Sequence, residues 1–172
     1  MFARTPYRVL PISQSPNQKS EFNIRISGGG RRPTFHQEFA VPTVTEDRSE
    51  ILNLLWRYAN AIDLYANDDD DVDGWLDTLT DDAVVEYPGA IHDGRQELIQ
   101  LAMKVKEIGG IRHIVVNPEV EVEGDSASIR AVLHVYRGLT LDAAKRYRMK
   151  IVRTAAGWRI AKVDILPSAG TP

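Results

Sequence analysis

The chain has 172 residues, an apolar content of 43% and a formal net charge of −3. This length predicts a single domain with a sizeable core, and the charge does not suggest nucleic acid binding. The sequence contains no cysteine, which excludes disulfides, a thiolate nucleophile and a cysteine-based zinc site. It also lacks the run of about 18 apolar residues that crosses a membrane. We therefore expect a cytoplasmic protein that does not contact a membrane.

The first 45 residues differ in composition from the rest. They hold six basic and two acidic side chains, so residues 1–45 carry +4 and the remainder carries −7. Five prolines and Gly28-Gly29-Gly30 interrupt the stretch, which shows no sustained helical or strand period. Such a segment buries too little apolar surface to offset its ordering entropy, so we predict a flexible basic arm. A transit peptide, a pad on a neighbouring subunit and upstream sequence from a wrong start site remain open. The predicted domain covers 46–166, followed by a tail at 167–172.

A helix is predicted from Asp47, because a side-chain acceptor there is followed three residues later by Glu50. Apolar residues then recur at helical spacing: Ile51, Leu54, Leu55, Tyr58 and Ile62. Asp63 lies at the end of an apolar row on this helix. It is either a buried carboxylate that needs a cationic partner or the exposed, frayed end of the helix.

An acidic run follows at residues 67–74. From Asp69 it matches the opening of a calcium loop, with aspartates at positions one, three and five and Gly74 at six. Position twelve is Thr80, so the bidentate glutamate of such loops is missing. We therefore favour a solvated acidic turn, leading into the amphipathic stretch 75–79, and assign no metal.

The remainder of the chain predicts one more helix and five strands. A strand at Ala83–Tyr87 is ended by Pro88-Gly89, and a helix opens at Asp93-Gly94-Arg95 and runs to about Lys106. Four strands follow at 111–123, 126–137, 146–154 and 157–165, with tight turns at Gly124-Asp125 and Ala156-Gly157. Helices followed by an antiparallel meander predict an α+β fold with a pocket between helix and sheet.

Three residues offer acid–base chemistry: Tyr58, Asp63 and His113. A histidine titrates near neutral pH, a carboxylate can orient it and stabilise its charged form, and a phenol can donate to a developing oxyanion. Each has an alternative, because His113 starts an apolar strand where structural histidines occur and Tyr58 lies on the main apolar face of its helix.

Four further residues are predicted to bind substrate, although aromatic residues in such positions usually pack in a core: Trp75, Tyr87, His134 and Tyr147. His134 alternates with Val132 and Tyr136 along one strand face, opposite Leu133. His92 lies in a turn and is expected at the surface or the pocket rim. Asn117, which precedes Pro118, is expected to bend its strand.

Several motifs in this order resemble one family: Tyr58-Ala59-x-Ala61-x-Asp63, Trp75-Leu76-x-x-Leu79-Thr80-Asp81-Asp82-Ala83-Val84, Gly94-Arg95, Arg112-His113-x-x-x-Asn117-Pro118 and Arg153-Thr154-x-x-Gly157-Trp158-Arg159-Ile160. They are similar to the SnoaL-like branch of the nuclear transport factor 2-like superfamily, over about residues 46–166. The resemblance implies a cone-shaped α+β barrel. N-terminal helices would pack on a curved, mostly antiparallel sheet around a central pocket.

The resemblance also implies an activity, because the bile-acid and scytalone dehydratases of this branch use a helix carboxylate beside a strand histidine. On that basis His113 would be the general base, Asp63 would orient it and Tyr58 would polarise a carbonyl or assist a leaving hydroxyl. No metal or organic cofactor would be needed. The substrate would be a small hydrophobic oxygenated ring compound, such as a steroid, polyketide or aromatic metabolite, handled by a dehydratase or an isomerase.

Two other functions remain open. The chain is similar in fold, length and N-terminal extension to the non-catalytic small subunit of ring-hydroxylating dioxygenases, and it could also be a module that binds an apolar ligand. Under every reading we expect a homodimer or homotrimer, because an open curved sheet in this superfamily normally covers its outer face with a second copy.

Overall fold

The computed structural model describes residues 43–68 and 71–168. These described residues form three helices and six strands, with the bounds α1 Val44–Asn67, α2 Asp73–Leu76, β1 Leu79–Tyr87, β2 Ala90–Asp93, α3 Arg95–Ile108, β3 Ile111–Glu123, β4 Ser126–Arg137, β5 Thr140–Thr154 and β6 Gly157–Pro167. None of the helices within the described ranges has the length and apolar content needed to cross a bilayer.

Helix α1 begins three residues before the predicted start. The Thr43 hydroxyl accepts from the backbone N–H of Glu46 at 3.3 Å, and the Glu46 carboxylate accepts from the Thr43 backbone N–H at 2.7 Å. This reciprocal pair satisfies two backbone donors at the helix end, so Thr43 and not Asp47 is the cap. The prediction at Asp47 was wrong, and residues 43–45 of the predicted arm belong with the helix. The rest of that arm, 1–42, lies outside the described residues.

The six strands form one sheet in the order β2-β1-β6-β5-β4-β3, in which only β1 and β6 run parallel. The predicted α+β fold of helices on a curved, mostly antiparallel sheet is confirmed. The inner face of the sheet packs on α1 through residues that include Leu55, Trp75, Leu133 and Ile160, each no more than 2% exposed. Burial of each such side chain stabilises the fold by about 1.5–3 kcal/mol.

Strand bounds differ from prediction mainly where side-chain alternation is weak. Pro88 and Gly89 end β1 as predicted, but they form a turn, with Gly89 at φ 91°, that returns the chain as the unpredicted β2. Strand β1 begins at Leu79 rather than Ala83. Strand β5 begins at Thr140 rather than 146, because its first residues pair with β4 through the backbone and need no apolar pattern.

Two local predictions concern special backbone. Asn117 has φ 51° and lies where the register between β3 and β4 shifts, so it bends the strand as predicted. In the acidic run, Asp69 and Asp70 lie outside the described residues, and the Asp71 carboxylate accepts from the Asp73 backbone N–H at 2.8 Å. Within 43–68 and 71–168, no group of three ligating side chains is placed to hold a metal ion.

Candidate functional site

The last turns of α1 and the start of β3 are joined by polar contacts. Asn67 donates through its side-chain amide to the carbonyl of Ile111 at 2.9 Å. Gly109 and Gly110, both at positive φ (61° and 62°), make the tight turn that brings the chain from α3 into β3. This connection places the side chain at position 113 beside α1, one helical turn before Asn67.

Asp63 and His113 form a two-point pair at this junction. The ring Nδ1 of His113 lies 2.6 Å from one Asp63 carboxylate oxygen, and the backbone N–H of His113 donates to the other at 2.7 Å. Asp63 is 5% exposed, so the interpretation of this residue as an exposed helix end is wrong. Two donors on one carboxylate fix the position of both side chains.

The pairing determines which nitrogen of His113 is available. A neutral imidazole beside this carboxylate carries its proton on Nδ1 and donates it to Asp63, which leaves an unprotonated Nε2. Nε2 has no hydrogen-bond partner in the part of the chain that the structure describes. His113 is one of the residues that line a cavity between α1, α3 and the sheet.

The cavity has a volume of about 290 Å³ and a mostly apolar and aromatic wall. Its side chains come from α1, α2, α3 and the sheet: Tyr58, Ile62, Trp75, Val85, Tyr87, Leu101, Lys104, Val105, Ile108, His113, Tyr147 and Ile165. Ile108 is half exposed, and Lys104 is exposed, so the mouth lies along α3. A larger, more open groove of about 540 Å³ runs from Glu86 to Leu166, but Tyr87 is the one predicted site residue that it contains.

Two buried tyrosine side chains of the cavity wall contact each other. The rings of Tyr58 and Tyr147 meet edge to face with centroids 6.5 Å apart, and the Trp75 ring lies 5.8 Å from Tyr58. Burial raises the pKa of Tyr58. Burial also raises the pKa of Tyr147, and the nearby Tyr58 and Asp63 add to this. Both hydroxyls therefore keep their protons at neutral pH and can serve as hydrogen-bond donors.

Most of the predicted site residues meet at this cavity. Tyr58, His113, Trp75, Tyr87 and Tyr147 line it, and Asp63 lies behind His113. His134 does not line it. The inward positions of β4 are the odd ones, such as Ile129, Ala131 and Leu133, and His134 lies on the opposite face with Tyr136.

Two neighbours of the cavity were not among the predicted site residues. His92, expected at the surface or the pocket rim, is 4% exposed on β2 and its Nε2 lies 3.3 Å from the Tyr87 hydroxyl. Among the described residues, Lys104 is the one lysine or arginine of the cavity wall. The alternation of β2 could have placed His92 inward, but a four-residue strand after Pro88-Gly89 gives too short a pattern. Lys104 lies one turn from Leu101 and Ile108 on α3, a spacing that was available in the sequence.

Comparison with known families identifies the chain. The family of SnoaL-like domains matches residues 43–164. The chain belongs to the SnoaL-like family. No curated protein matches it closely, so the family membership by itself assigns no activity.

Solved structures agree with this placement. An NTF2-like protein with a cystatin-like fold from Novosphingobium aromaticivorans is 26% identical, with a TM-score of 0.66 over 74% of this chain and 85% of that one. A protein named provisionally as an aromatic ring hydroxylase from the same organism is also 26% identical, with a TM-score of 0.65 over 76% and 94%. A Nostoc punctiforme protein of unknown function, 21% identical, has a TM-score of 0.64 over 76% and 96% and shares the fold.

Proposed function

We propose that this SnoaL-like protein is an acid–base enzyme of the dehydratase or isomerase type that uses no cofactor. The observation that carries the proposal is the Asp63–His113 pair, 2.6 Å apart, with His113 at the wall of an apolar cavity. A histidine with a purely structural role could hold its position equally well with both ring nitrogens hydrogen-bonded to the protein. Here Nε2 has no protein partner within the described residues, while Nδ1 is held firmly.

The proposed reaction follows from which side chain accepts a proton and which side chains donate hydrogen bonds. His113 Nε2 removes a proton from the carbon next to a substrate carbonyl, and Asp63 stabilises the imidazolium that forms. Tyr58 and Tyr147, which stay protonated because burial raises the pKa of each, donate to the carbonyl oxygen as it gains negative charge. In dehydration the electron pair of the enolate then forms the C=C bond as the C–O bond of the β-hydroxyl breaks, and the hydroxyl leaves as water with the proton that His113 gives back, whereas return of that proton to another carbon gives isomerisation.

Cavity size narrows the substrate. At about 290 Å³ it lies at the lower end of ordinary ligand pockets, which run from about 300 to 1,000 Å³. Its aromatic walls favour a flat, apolar body. We therefore propose a carbonyl compound of one or two rings, a narrower class than the ring compounds expected from the sequence.

A panel of cyclic β-hydroxy ketones and β,γ-unsaturated ketones tests this function. Both reactions yield a conjugated enone, whose ultraviolet absorbance reports turnover directly. His113→Ala should lower kcat by about 10²- to 10⁴-fold while circular dichroism shows an unchanged fold. His134→Ala is the matched control, because this second strand histidine lies away from the cavity, and it should behave as the wild type. Equal activity in both variants would contradict the proposal.

A second function is favoured by one comparison. The neighbour named provisionally as an aromatic ring hydroxylase supports a non-catalytic partner role, in which this chain would accompany a larger catalytic subunit. Purification from the native host distinguishes the two, because a separate large subunit should elute with this chain only in the second case. A pure homo-oligomer active on a ketone would contradict the partner role.

Self-association is proposed under either function. The outer face of the sheet would pair two or three copies, and light scattering after size exclusion should then give a multiple of the 19.3 kDa chain mass. A clean monomer would refute it.

A further inference from the structure

A second histidine is buried behind the cavity wall. His92 on β2 is 4% exposed, and its ring stacks on that of Tyr87 with centroids 5.7 Å apart and planes 29° from parallel. Its Nε2 lies 3.3 Å from the Tyr87 hydroxyl. Tyr87 lines the cavity, so His92 supports a cavity-lining side chain from behind, as Asp63 supports His113. The acid–base chemistry proposed above makes no use of it.

The other nitrogen of His92 indicates where its proton lies. Nδ1 is buried and has no hydrogen-bond partner in the described part of the chain. A Glu97 carboxylate oxygen lies 3.6 Å from Nδ1, which is too far for a hydrogen bond but close enough to attract a proton. The carboxylate therefore favours the tautomer of His92 with its proton on Nδ1. Nε2 is then an acceptor, and the Tyr87 hydroxyl donates to it.

This arrangement makes Tyr87 different from the other two phenols. The Tyr87 hydroxyl donates its proton to His92. Its oxygen can therefore accept a hydrogen bond from a ligand, but the hydroxyl has no second proton to donate. Tyr58 and Tyr147, whose raised pKa keeps them protonated, remain donors. The cavity thus has donors that suit a carbonyl oxygen and, at Tyr87, an acceptor that suits a hydroxyl.

We propose that Tyr87 binds a hydroxyl group of the ligand as a hydrogen-bond acceptor, and that His92 and Glu97 are positioning residues that hold its proton away from the cavity. The ligand class is then a hydroxy ketone, with the carbonyl towards Tyr58 and Tyr147 and the hydroxyl towards Tyr87. The proposal rests on the proposed function only in placing the ligand in the cavity that His113 lines.

The tautomer of His92 is the first test, because it needs no ligand. Nitrogen-15 NMR of the four histidines distinguishes a protonated Nδ1 from a protonated Nε2. We expect the His92 proton on Nδ1, and we expect the Nε2 resonance to move in Tyr87→Phe, where the donor is lost. A proton on Nε2 in the wild type would overturn the proposal, since Tyr87 would then be free to donate.

A pair of matched probes tests the direction of the hydrogen bond. 2-Naphthol and 2-methoxynaphthalene share one ring system, but only the naphthol donates. Calorimetry gives the dissociation constant of 2-methoxynaphthalene divided by that of 2-naphthol. This ratio should be about 3- to 10-fold lower in Tyr87→Phe than in the wild type. In His92→Phe the ratio should also fall, because the released Tyr87 proton can then bind the methoxy oxygen while the naphthol keeps its own hydrogen bond to Tyr87. A purely structural role for His92 would weaken both probes alike.

Controls keep the test decisive. Tyr136→Phe removes a hydroxyl that also lies near a histidine, His134 at 6.5 Å between ring centroids, but on the outer face of the sheet, so the ratio should not change. If His92→Phe does not fold, Glu97→Ala replaces it, because the Glu97 side chain is 60% exposed, and the ratio should shift in the same direction by less. An unchanged ratio in Tyr87→Phe, or no binding of either probe, would overturn the proposal.

The two proposals fail separately. Turnover that does not depend on His113, together with a ratio that depends on Tyr87, would reject the enzyme and keep the hydroxyl site. Turnover that depends on His113, together with a ratio indifferent to Tyr87, would do the reverse.

Discussion

Helix α1 carries a buried aspartate at each end, and the two have opposite surroundings. Asp47 and Asp63 are each 5% exposed. Asp47 accepts from the Arg153 guanidinium at 2.6 Å and from the Trp158 indole N–H at 3.2 Å, while Arg153 lies over the Trp158 ring at 4.2 Å. Asp63 instead holds a histidine that lines a cavity and whose second nitrogen has no protein partner in the described part of the chain.

The two aspartates differ in whether the side chain that binds them keeps an atom without a protein contact. Arg153 is permanently charged, and it divides its donors between Asp47 and Asp125 and covers an aromatic ring. That cluster ties the first turn of α1 to the two hairpins at this end of the sheet. The His113 pair has similar geometry but leaves a titratable atom beside an empty volume. We infer that the first aspartate serves stability and the second serves chemistry.

The largest expected effect separates the two aspartates by activity. Asp63→Asn should lower kcat by on the order of 10²- to 10⁴-fold, because the amide can donate to Nδ1 and so move the His113 proton to Nε2, where the base is needed. Asp47→Asn should leave kcat within about twofold at a temperature where it stays folded. Turnover of the preferred ketone, measured on both variants, checks this, and equal losses would remove the distinction.

The phenols give the next effect. Tyr58→Phe or Tyr147→Phe should each lower kcat by up to about 10²-fold, since each removes one donor to the developing oxyanion. The melting temperature should change little, because the ring keeps its packing. Enone absorbance with parallel calorimetry measures both. A variant with unchanged kcat but weaker binding would assign that phenol to substrate binding alone.

A substitution at the other end of α1, at Asp47, should change the thermal stability of the protein. Asp47→Asn should lower the melting temperature by several degrees, because it weakens a charge-assisted contact to Arg153 that is shielded from water. Asp125→Asn is the matched control. Asp125 also binds Arg153, at 3.0 Å, but its side chain is 85% exposed, and exposed pairs contribute little. Differential scanning calorimetry of the two variants should separate them, and equal shifts would argue against burial as the cause.

These two regions also show what sequence could predict. The Asp63–His113 pair was predicted because helix periodicity placed Asp63 on a buried row and the family resemblance supplied its partner on β3. Asp47 was predicted only as a helix cap. Its true partners, Arg153 and Trp158, come from the other end of the chain, and local spacing carries no information about such contacts.

The same reason explains the errors within the cavity. His134 was placed in the pocket because alternation gives two faces but does not say which one is inner. The apolar character of Leu133 and Val135 pointed to the correct answer. The burial of His92 does not follow from the sequence, because Pro88-Gly89 ends the apolar strand pattern, whereas the turn returns the chain to pair with β1. Register after a turn depends on backbone geometry that composition does not express.

The smallest effect is the acid dependence of the Asp47 cluster. The hydrogen bond from Arg153 lowers the pKa of Asp47, the Trp158 N–H adds to this, and burial opposes it. Because the folded pKa lies below the unfolded value of about 3.9, folding favours the carboxylate. Its contribution is therefore complete above about pH 4 and is lost as the pH falls through the folded pKa.

The difference in melting temperature between wild type and Asp47→Asn should be constant from pH 7 to pH 5 and shrink below about pH 4. Arg153, whose pKa is raised mainly by the Asp47 contact, stays charged throughout, so the change would report the carboxylate alone. A difference that stays constant down to pH 3 would mean that Asp47 acts through packing rather than through its charge.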